Sequence, residues 1–182
     1  MVAKTHVAPV PLHNPRVGVN DTFADVLAAN AEYARGFNLA GLEPKAARGL
    51  AVLTCIDSRI EPLAMLGLRP GDAKILRNAG GRVTDDVVRS LFVSAQLLGV
   101  ERVMVIAHTK CRMSEAGDDD LRRAIVDAGG PDAPELPLLA APDQEAAVLT
   151  DVEKLRASPL LPGVRVGGFV YDVDSGRLRR IC

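Results

Sequence analysis

Short apolar runs alternate along this chain with longer segments in which apolar residues recur at every third or fourth position. The runs have the length of buried strands, and they are Leu50–Ile56, Ala73–Arg77, Arg102–Ala107 and Val164–Val173. The segments with helical spacing are Thr22–Arg35, a short turn after Pro62, Thr84–Leu98, Asp118 to about Ala128, and Gln144–Ala157. Strands and helices in this order predict an α/β fold, a mainly parallel sheet flanked by helices.

The helix predicted at Thr84–Leu98 has the clearest end signals. Thr84 can cap its first turn, and Asp85 and Asp86 complement the positive end of the helix dipole. The last apolar run, Val164–Val173, is followed only by a short tail to Cys182. We therefore predict that this last strand lies at an edge of the sheet.

The first 40 residues differ from the rest. Residues 1 to about 20 contain prolines and no periodicity, which predicts an extended arm before the first helix. We expect residues 1–40, the arm and helix, to pack on a partner subunit, although packing on their own domain is equally compatible with the pattern. No internal repeat or second domain is indicated, so residues 1–182 are predicted to form a single domain.

Composition narrows the classes of partner. The chain has 182 residues, of which 48% are hydrophobic and 25% charged, and its net charge is −1. This balance favours neither a nucleic acid nor a membrane surface, and 3% aromatic residues without Trp disfavour a base-stacking platform. The N-terminus lacks the continuous apolar stretch of a signal peptide, so a cytoplasmic location is expected.

Cysteine and histidine stand where two predicted strands end. Cys55 follows the first apolar run, and His108 and Cys111 follow the third. Three such ligands from two strands, with a fourth position left open, are typical of a catalytic zinc site. Cys182 could instead complete a closed structural site, or the three residues could be ordinary core residues. His6 and His13 lie in the arm and are expected to be solvated.

Asp57 and Arg59 can project to the same side as Cys55, because strand side chains alternate. An Asp beside an Arg stays ionised and can accept two hydrogen bonds from it. An ordinary ion pair that closes the strand is the alternative interpretation. After the second strand, Gly80 and Gly81 allow positive φ and a close approach of the backbone to a small or anionic group.

These residues resemble the three signatures of the β-class carbonic anhydrases. The signatures are C-I-D-S-R at 55–59, R-N-A-G at 77–80 and H-T-K-C at 108–111. The intervening helix D-D-V-V-R-S-L and the strand G-F-V-Y-D are similar too, so the resemblance runs from about Thr22 to Asp174. Short bacterial and actinobacterial members are the most similar.

The resemblance implies a zinc enzyme that converts carbon dioxide reversibly to bicarbonate and a proton through zinc-bound hydroxide. Cys55, His108 and Cys111 would be the zinc ligands, and Asp57 and Arg59 a catalytic dyad that gates the nucleophile. In the family the Asp can also move onto the metal, which makes Asp57 a further potential ligand. Members assemble as homodimers or dimers of dimers.

One residue departs from the family pattern. The family usually has Gly after the second Cys, where this chain has Arg112. If that backbone needs positive φ, Arg costs roughly 1–2 kcal/mol there. The side chain could point to solvent, narrow the site, attract bicarbonate or stabilise a thiolate. Hydrolysis of a CO2-like substrate such as carbonyl sulfide, or a catalytically silent zinc-binding role, are therefore alternatives.

Overall fold

The computed structural model describes residues 22–182, so the predicted arm with His6 and His13 lies outside the described residues. The chain divides into two compact units, Met1–Gly41 and Leu42–Cys182. In the first unit, helix α1 spans Ala24–Arg35, and none of its residues is buried. The prediction that this helix packs on a partner subunit stays a prediction. No helix among residues 22–182 is long and apolar enough to span a membrane.

The second unit is built on one five-stranded sheet with helices alongside it. Its strands are β1 (Leu50–Cys55), β2 (Ala73–Asn78), β3 (Arg102–His108), β4 (Arg165–Tyr171) and β5 (Leu178–Arg180). Its helices are α2 (Pro62–Met65), α3 (Asp85–Leu97), α4 (Asp118–Asp127) and α5 (Gln144–Arg156). The order of strands is β2-β1-β3-β4-β5, parallel from β2 to β4. The predicted α/β class with a mainly parallel sheet is confirmed.

Burial explains why β1 lies near the middle. Every one of its six residues is buried, which fits an apolar run covered on both faces. Its single polar side chain, Thr54, donates a hydrogen bond to the carbonyl of Ile106 on β3 at 3.1 Å. The main core includes Leu53, Leu91 and Val152, and these come from the sheet, α3 and α5.

Helix α3 is capped as predicted, whereas one apolar residue of α5 faces solvent against the prediction. The side chain of Thr84 accepts a hydrogen bond from the backbone N–H of Val87 and so caps α3. On α5, Val148 and Val152 are buried, but Leu149 is 41% exposed, although it was expected on the same side. Successive residues of a helix are rotated by 100°, so the side chain of Leu149 points away from the buried side that Val148 and Val152 share.

The prediction that the last strand is an edge strand is wrong. β4 has neighbours on both sides, because the tail folds back as β5 and pairs antiparallel with it. A tight turn makes this possible, with the N–H of Asp172 donating to the carbonyl of Arg177 at 2.8 Å and Gly176 at φ +69°. A three-residue strand is too short to show a period of two in the sequence.

Parallel pairing places the functional residues at one edge. Cys55 is the last residue of β1 and is in register with Asn78 of β2, while His108 ends β3 opposite Tyr171 of β4. In parallel sheets, ligands bind in the crevice outside the carboxyl ends of the strands.

Candidate metal centre

Three potential metal donors meet at this carboxyl edge. Cys55 and His108 end their strands, and Cys111 follows on a turn in which Ser114 Oγ donates to the Cys111 carbonyl at 2.8 Å. The two Sγ atoms are 3.9 Å apart, and the three ligand atoms all lie within 4.8 Å of one another. All three residues are buried. Two thiols and an imidazole at this separation form a donor set suited to zinc.

The ring of His108 is oriented for metal binding. Its Nδ1 lies 2.9 Å from the carbonyl oxygen of Thr109. A carbonyl can only accept, so Nδ1 carries the hydrogen and Nε2 keeps its lone pair. Nε2 is buried and has no hydrogen-bond partner among the residues that the structure describes. A buried nitrogen without a partner is costly, and a metal ion among the donors would satisfy it.

The two thiols are electrostatically coupled. The two sulfurs share a hydrogen bond in which either can be the donor. This contact lowers the pKa of Cys55 to about 4, and backbone N–H groups of Asp57 and Gly80 contribute. The same hydrogen bond raises the pKa of Cys111, because losing its proton would leave two thiolates side by side. A metal cation between the two sulfurs would favour the loss of both protons.

Asp57 and Arg59 form a bidentate ion pair at the mouth of this centre. Asp57 Oδ1 accepts from the backbone N–H and the Nε of Arg59, both at 2.9 Å, and Oδ2 accepts from Nη2 at 2.7 Å. The Arg59 guanidinium holds the pKa of Asp57 well below its usual range. Oδ2 also lies 3.9 Å from His108 Nε2, so the carboxylate faces the donors while it is paired.

Besides Arg59, two residues to which the sequence assigned no role, Arg77 and Gln144, hold the backbone around the donors. Arg77 donates from Nε to the carbonyl of Cys55 at 2.9 Å and from Nη2 to that of Asp57 at 2.7 Å. The Gln144 amide donates to the His108 carbonyl at 2.7 Å, and Arg59 Nη2 donates to the Lys110 carbonyl at 2.9 Å. The position of Arg77 at the end of a predicted strand could have indicated its role at the site. Nothing in the sequence relates Gln144 to His108.

The glycines after β2 serve the protein's own backbone. Gly80 and Gly81 both have positive φ, as predicted. A Cβ on Gly81 would lie 3.0 Å from the carbonyl carbon of Thr54 and 3.1 Å from the carbonyl oxygen of Ile106. Gly81 therefore allows this turn to pack directly against β1 and β3 beside the donors.

The structure locates Cys182 and Arg112, two residues whose roles the sequence left open. Cys182 lies outside the donor group of the described residues, and its backbone pairs with Gly168 of β4. Arg112 is not among the residues with positive φ in the described chain, so it carries no left-handed strain. Its side chain is 70% exposed and pairs with Glu115. In this structure Arg112 is therefore a solvated surface residue, which does not narrow the centre.

Comparison with known proteins agrees with this geometry. A family model described as carbonic anhydrase matches residues 50–128. Beta-carbonic anhydrase 1 of Mycobacterium tuberculosis is 37% identical over 158 residues, which cover 86% of this chain and 96% of that protein. The chain belongs to the β-carbonic anhydrase family.

The family includes relatives whose names state different substrates. A carbonic anhydrase structure from Streptococcus mutans has a TM-score of 0.83 and 38% identity, covering 91% of this chain and 100% of its own. A carbon disulfide hydrolase of Acidithiobacillus thiooxidans is 36% identical over 152 residues, 72% of this chain and 76% of that protein. Membership in the β-carbonic anhydrase family therefore leaves the substrate to be argued from the site.

Proposed function

We propose that this protein is a zinc-dependent carbonate dehydratase that combines carbon dioxide with water to give bicarbonate and a proton, reversibly. The observation that carries the proposal is the buried, unpartnered Nε2 of His108, which lies within 4.8 Å of the sulfurs of Cys55 and Cys111. The paired Asp57 and Arg59 lie directly beside it.

Cys55, His108 and Cys111 would hold the zinc ion. When bound there, zinc acts as a Lewis acid that makes a water molecule nucleophilic near neutral pH. Because two thiolates offset the charge of Zn²⁺, bound water would be less acidified than under three neutral ligands. A group that orients the nucleophile would compensate. Asp57 is suited to that role.

Asp57 would accept the hydrogen that is not transferred and thereby direct a lone pair of the nucleophile toward the carbon of carbon dioxide. Oδ1 is occupied by two hydrogen bonds from Arg59, whereas Oδ2 accepts only one and faces the donors. Oδ2 is therefore the oxygen with acceptor capacity to spare. Arg59 keeps the carboxylate at this distance and prevents it from becoming a fourth ligand.

The decisive experiment measures carbon dioxide hydration by stopped flow in a sample loaded with one zinc per chain. We expect a rate well above buffer, loss of zinc and rate together in Cys55→Ala, and loss of rate with retained zinc in Asp57→Ala. Circular dichroism of both variants checks that they are folded. A zinc-loaded, folded wild type with no rate above buffer would reject the proposal, and the absence of sulfide release from carbon disulfide and carbonyl sulfide as well would identify a catalytically silent homologue.

A second candidate function is hydrolysis of carbon disulfide or carbonyl sulfide. It is favoured by the 36% identity to a protein named carbon disulfide hydrolase. Carbon disulfide and two waters give carbon dioxide and two hydrogen sulfides, so release of sulfide distinguishes it from hydration. We expect carbon dioxide to be turned over at least 100-fold faster than either sulfur compound, a difference of about 3 kcal/mol in barrier. Equal or reversed rates would favour the second function.

We also propose that the protein is a homodimer, or a dimer of dimers. Support comes from α1, where Val26 and Leu27 are 57% and 59% exposed, because a helix with an uncovered apolar side tends to be buried by a partner. Sedimentation of Leu27→Glu should show dissociation, whereas Ala28→Glu, which adds the same charge at an exposed position away from the side that Val26 and Leu27 share, should sediment like wild type. A monomeric wild type would reject the proposal. The cytoplasmic location stays a prediction.

A further inference from the structure

We propose that Thr109 is a positioning residue for Arg59, acting through the left-handed backbone of Lys110 and held in place by Asp172 of the β4–β5 turn. This inference rests on the proposed function, in which Arg59 holds Asp57 away from the metal. The turn at Asp172–Arg177 thereby helps Arg59 to hold Asp57 away from the metal.

The first step is the anchor of Arg59. Its Nη2 donates to Asp57 Oδ2 at 2.7 Å and also to the Lys110 carbonyl at 2.9 Å. Arg59 is 47% exposed on its side chain, so its long stem has freedom to move. The Lys110 carbonyl is the acceptor outside the ion pair that fixes the direction of the guanidinium.

The second step is the conformation that presents this carbonyl. Lys110 has φ +54°, in the left-handed region. For a residue with a Cβ this costs about 1–2 kcal/mol, so the flanking contacts have to maintain it. Without them, the backbone at Lys110 would relax and turn the Lys110 carbonyl away from Arg59.

The third step is the set of contacts that maintain it from β4 and its turn, in addition to the hydrogen bond from His108 Nδ1 to the Thr109 carbonyl. The Thr109 N–H donates to the Tyr171 carbonyl at 2.9 Å, its Oγ1 accepts from the N–H of Val173 at 3.1 Å, and it donates to Asp172 Oδ1 at 3.4 Å. The Lys110 ammonium pairs with Asp174 at 2.7 Å, but both groups are more than 60% exposed, so this pair contributes little. The half-buried hydroxyl of Thr109 is the principal clamp.

Asp172, which accepts the hydrogen bond of the Thr109 hydroxyl, is itself held in place by its turn. Its carboxylate also accepts from the N–H of Asp174 and from Ser175 Oγ, both at 2.9 Å. The turn therefore has its own hydrogen bonds and does not depend on Thr109 for its shape. Removing the hydroxyl should release the loop at Lys110 while the hairpin stays intact.

The experiment compares Thr109→Val, which keeps the shape but removes both hydroxyl bonds, with Thr109→Ser, which keeps them. Each is made in the full chain and loaded with zinc for kinetics and with cobalt for its visible absorption spectrum. We expect Thr109→Val to retain the metal, to lose roughly tenfold in kcat, and to shift the cobalt bands toward those of Arg59→Ala. Thr109→Ser should resemble wild type in all three measurements.

Asp172→Asn is the second variant and should give a smaller shift in the same direction. A wild-type spectrum and kcat in folded Thr109→Val would overturn the proposal, as would a parallel loss of metal and activity, which would indicate a merely structural role. The spectral comparison with Arg59→Ala does not depend on the substrate. If the wild type proves inactive toward carbon dioxide, the proposed function fails, and the cobalt bands still decide the positioning role.

Discussion

The two ends of the central strands offer very different environments. At the carboxyl ends, Cys55 and His108 are buried and close together, and the cavity beside Cys111 measures about 10 Å³. At the amino ends, Arg102 and Arg165 are in register on β3 and β4 and border a cavity of about 410 Å³. The cavity at the amino ends therefore lacks the donors, and the small cavity beside Cys111 is not lined by Cys55 or His108.

The difference lies in how side chains are held. All four of these arginines are exposed, but Arg59 and Arg77 at the carboxyl end each donate at 2.9 Å to a carbonyl next to the donors. At the amino end, Arg102 makes a longer hydrogen bond of 3.4 Å to the Arg48 carbonyl. Chemistry needs groups that are pre-positioned, and a small substrate such as carbon dioxide does not need a large cavity. Donor geometry is thus a better guide to this site than cavity volume.

The contrast between the two ends of the strands predicts the largest loss of function when a metal donor at the carboxyl end is removed. In Cys111→Ala, we expect zinc content to fall below about a tenth of wild type and kcat/KM to fall on the order of 10³-fold, because two ligands hold the ion poorly. Atomic absorption and stopped-flow hydration provide the two measurements. Retained zinc with full activity would show that the centre lies elsewhere.

The next largest effect should come from Arg59→Ala. Without the guanidinium, Asp57 is free to approach the metal, so kcat should fall roughly 100-fold while zinc content stays near one per chain. The same assays apply, with Arg112→Ala as the matched control, since within residues 22–182 the Arg112 side chain pairs only with Glu115, at the surface. Equal loss of zinc and turnover in Arg59→Ala would refute the gating role.

A smaller effect is expected where polar anchors hold the loops of the carboxyl edge. The backbone N–H groups of Ala140, Leu138 and Leu139 donate to Asp118 and lower its pKa. A carboxylate whose folded pKa is depressed stabilises the fold above its unfolded pKa of about 4, and this contribution is lost as pH falls through the folded pKa.

We therefore expect Asp118→Asn to lower the free energy of unfolding by about 1 kcal/mol at pH 7, with the difference shrinking below about pH 4. Urea titrations at several pH values measure it, and Asp119→Asn, whose side chain is 92% exposed, is the control. A difference that grew at acid pH would contradict the assignment.

The smallest effect should be found at the amino ends. The double variant Arg102→Ala and Arg165→Ala should keep wild-type zinc content, kcat within about twofold, and unfolding free energy within about 0.5 kcal/mol. Both side chains are exposed, so little packing is lost. A large fall in kcat would show that the cavity at this end takes part in the reaction.

Much of the fold could be read from the sequence because strand and helix periods are local. The strands β1 to β3 begin where predicted and end within one residue of the prediction, and Thr84 caps α3 as expected. β5 could not be predicted in this way, because a three-residue strand is stabilised by its neighbour and not by its own pattern. Leu149 faces outward for a related reason. The surface that packs against a helix decides which of its apolar residues are covered.

By itself, the sequence determined the chemistry of the centre: two thiols and an imidazole at strand ends, with an Asp and an Arg two residues apart. It could do so because parallel strands bring their carboxyl ends to one edge. Only the tertiary structure decided the orientation of these groups, through contacts between residues far apart in the chain. His108 is turned by Thr109 and held by Gln144, and Arg59 is anchored by Lys110. Such hydrogen bonds depend on how the loops meet, which no local period encodes.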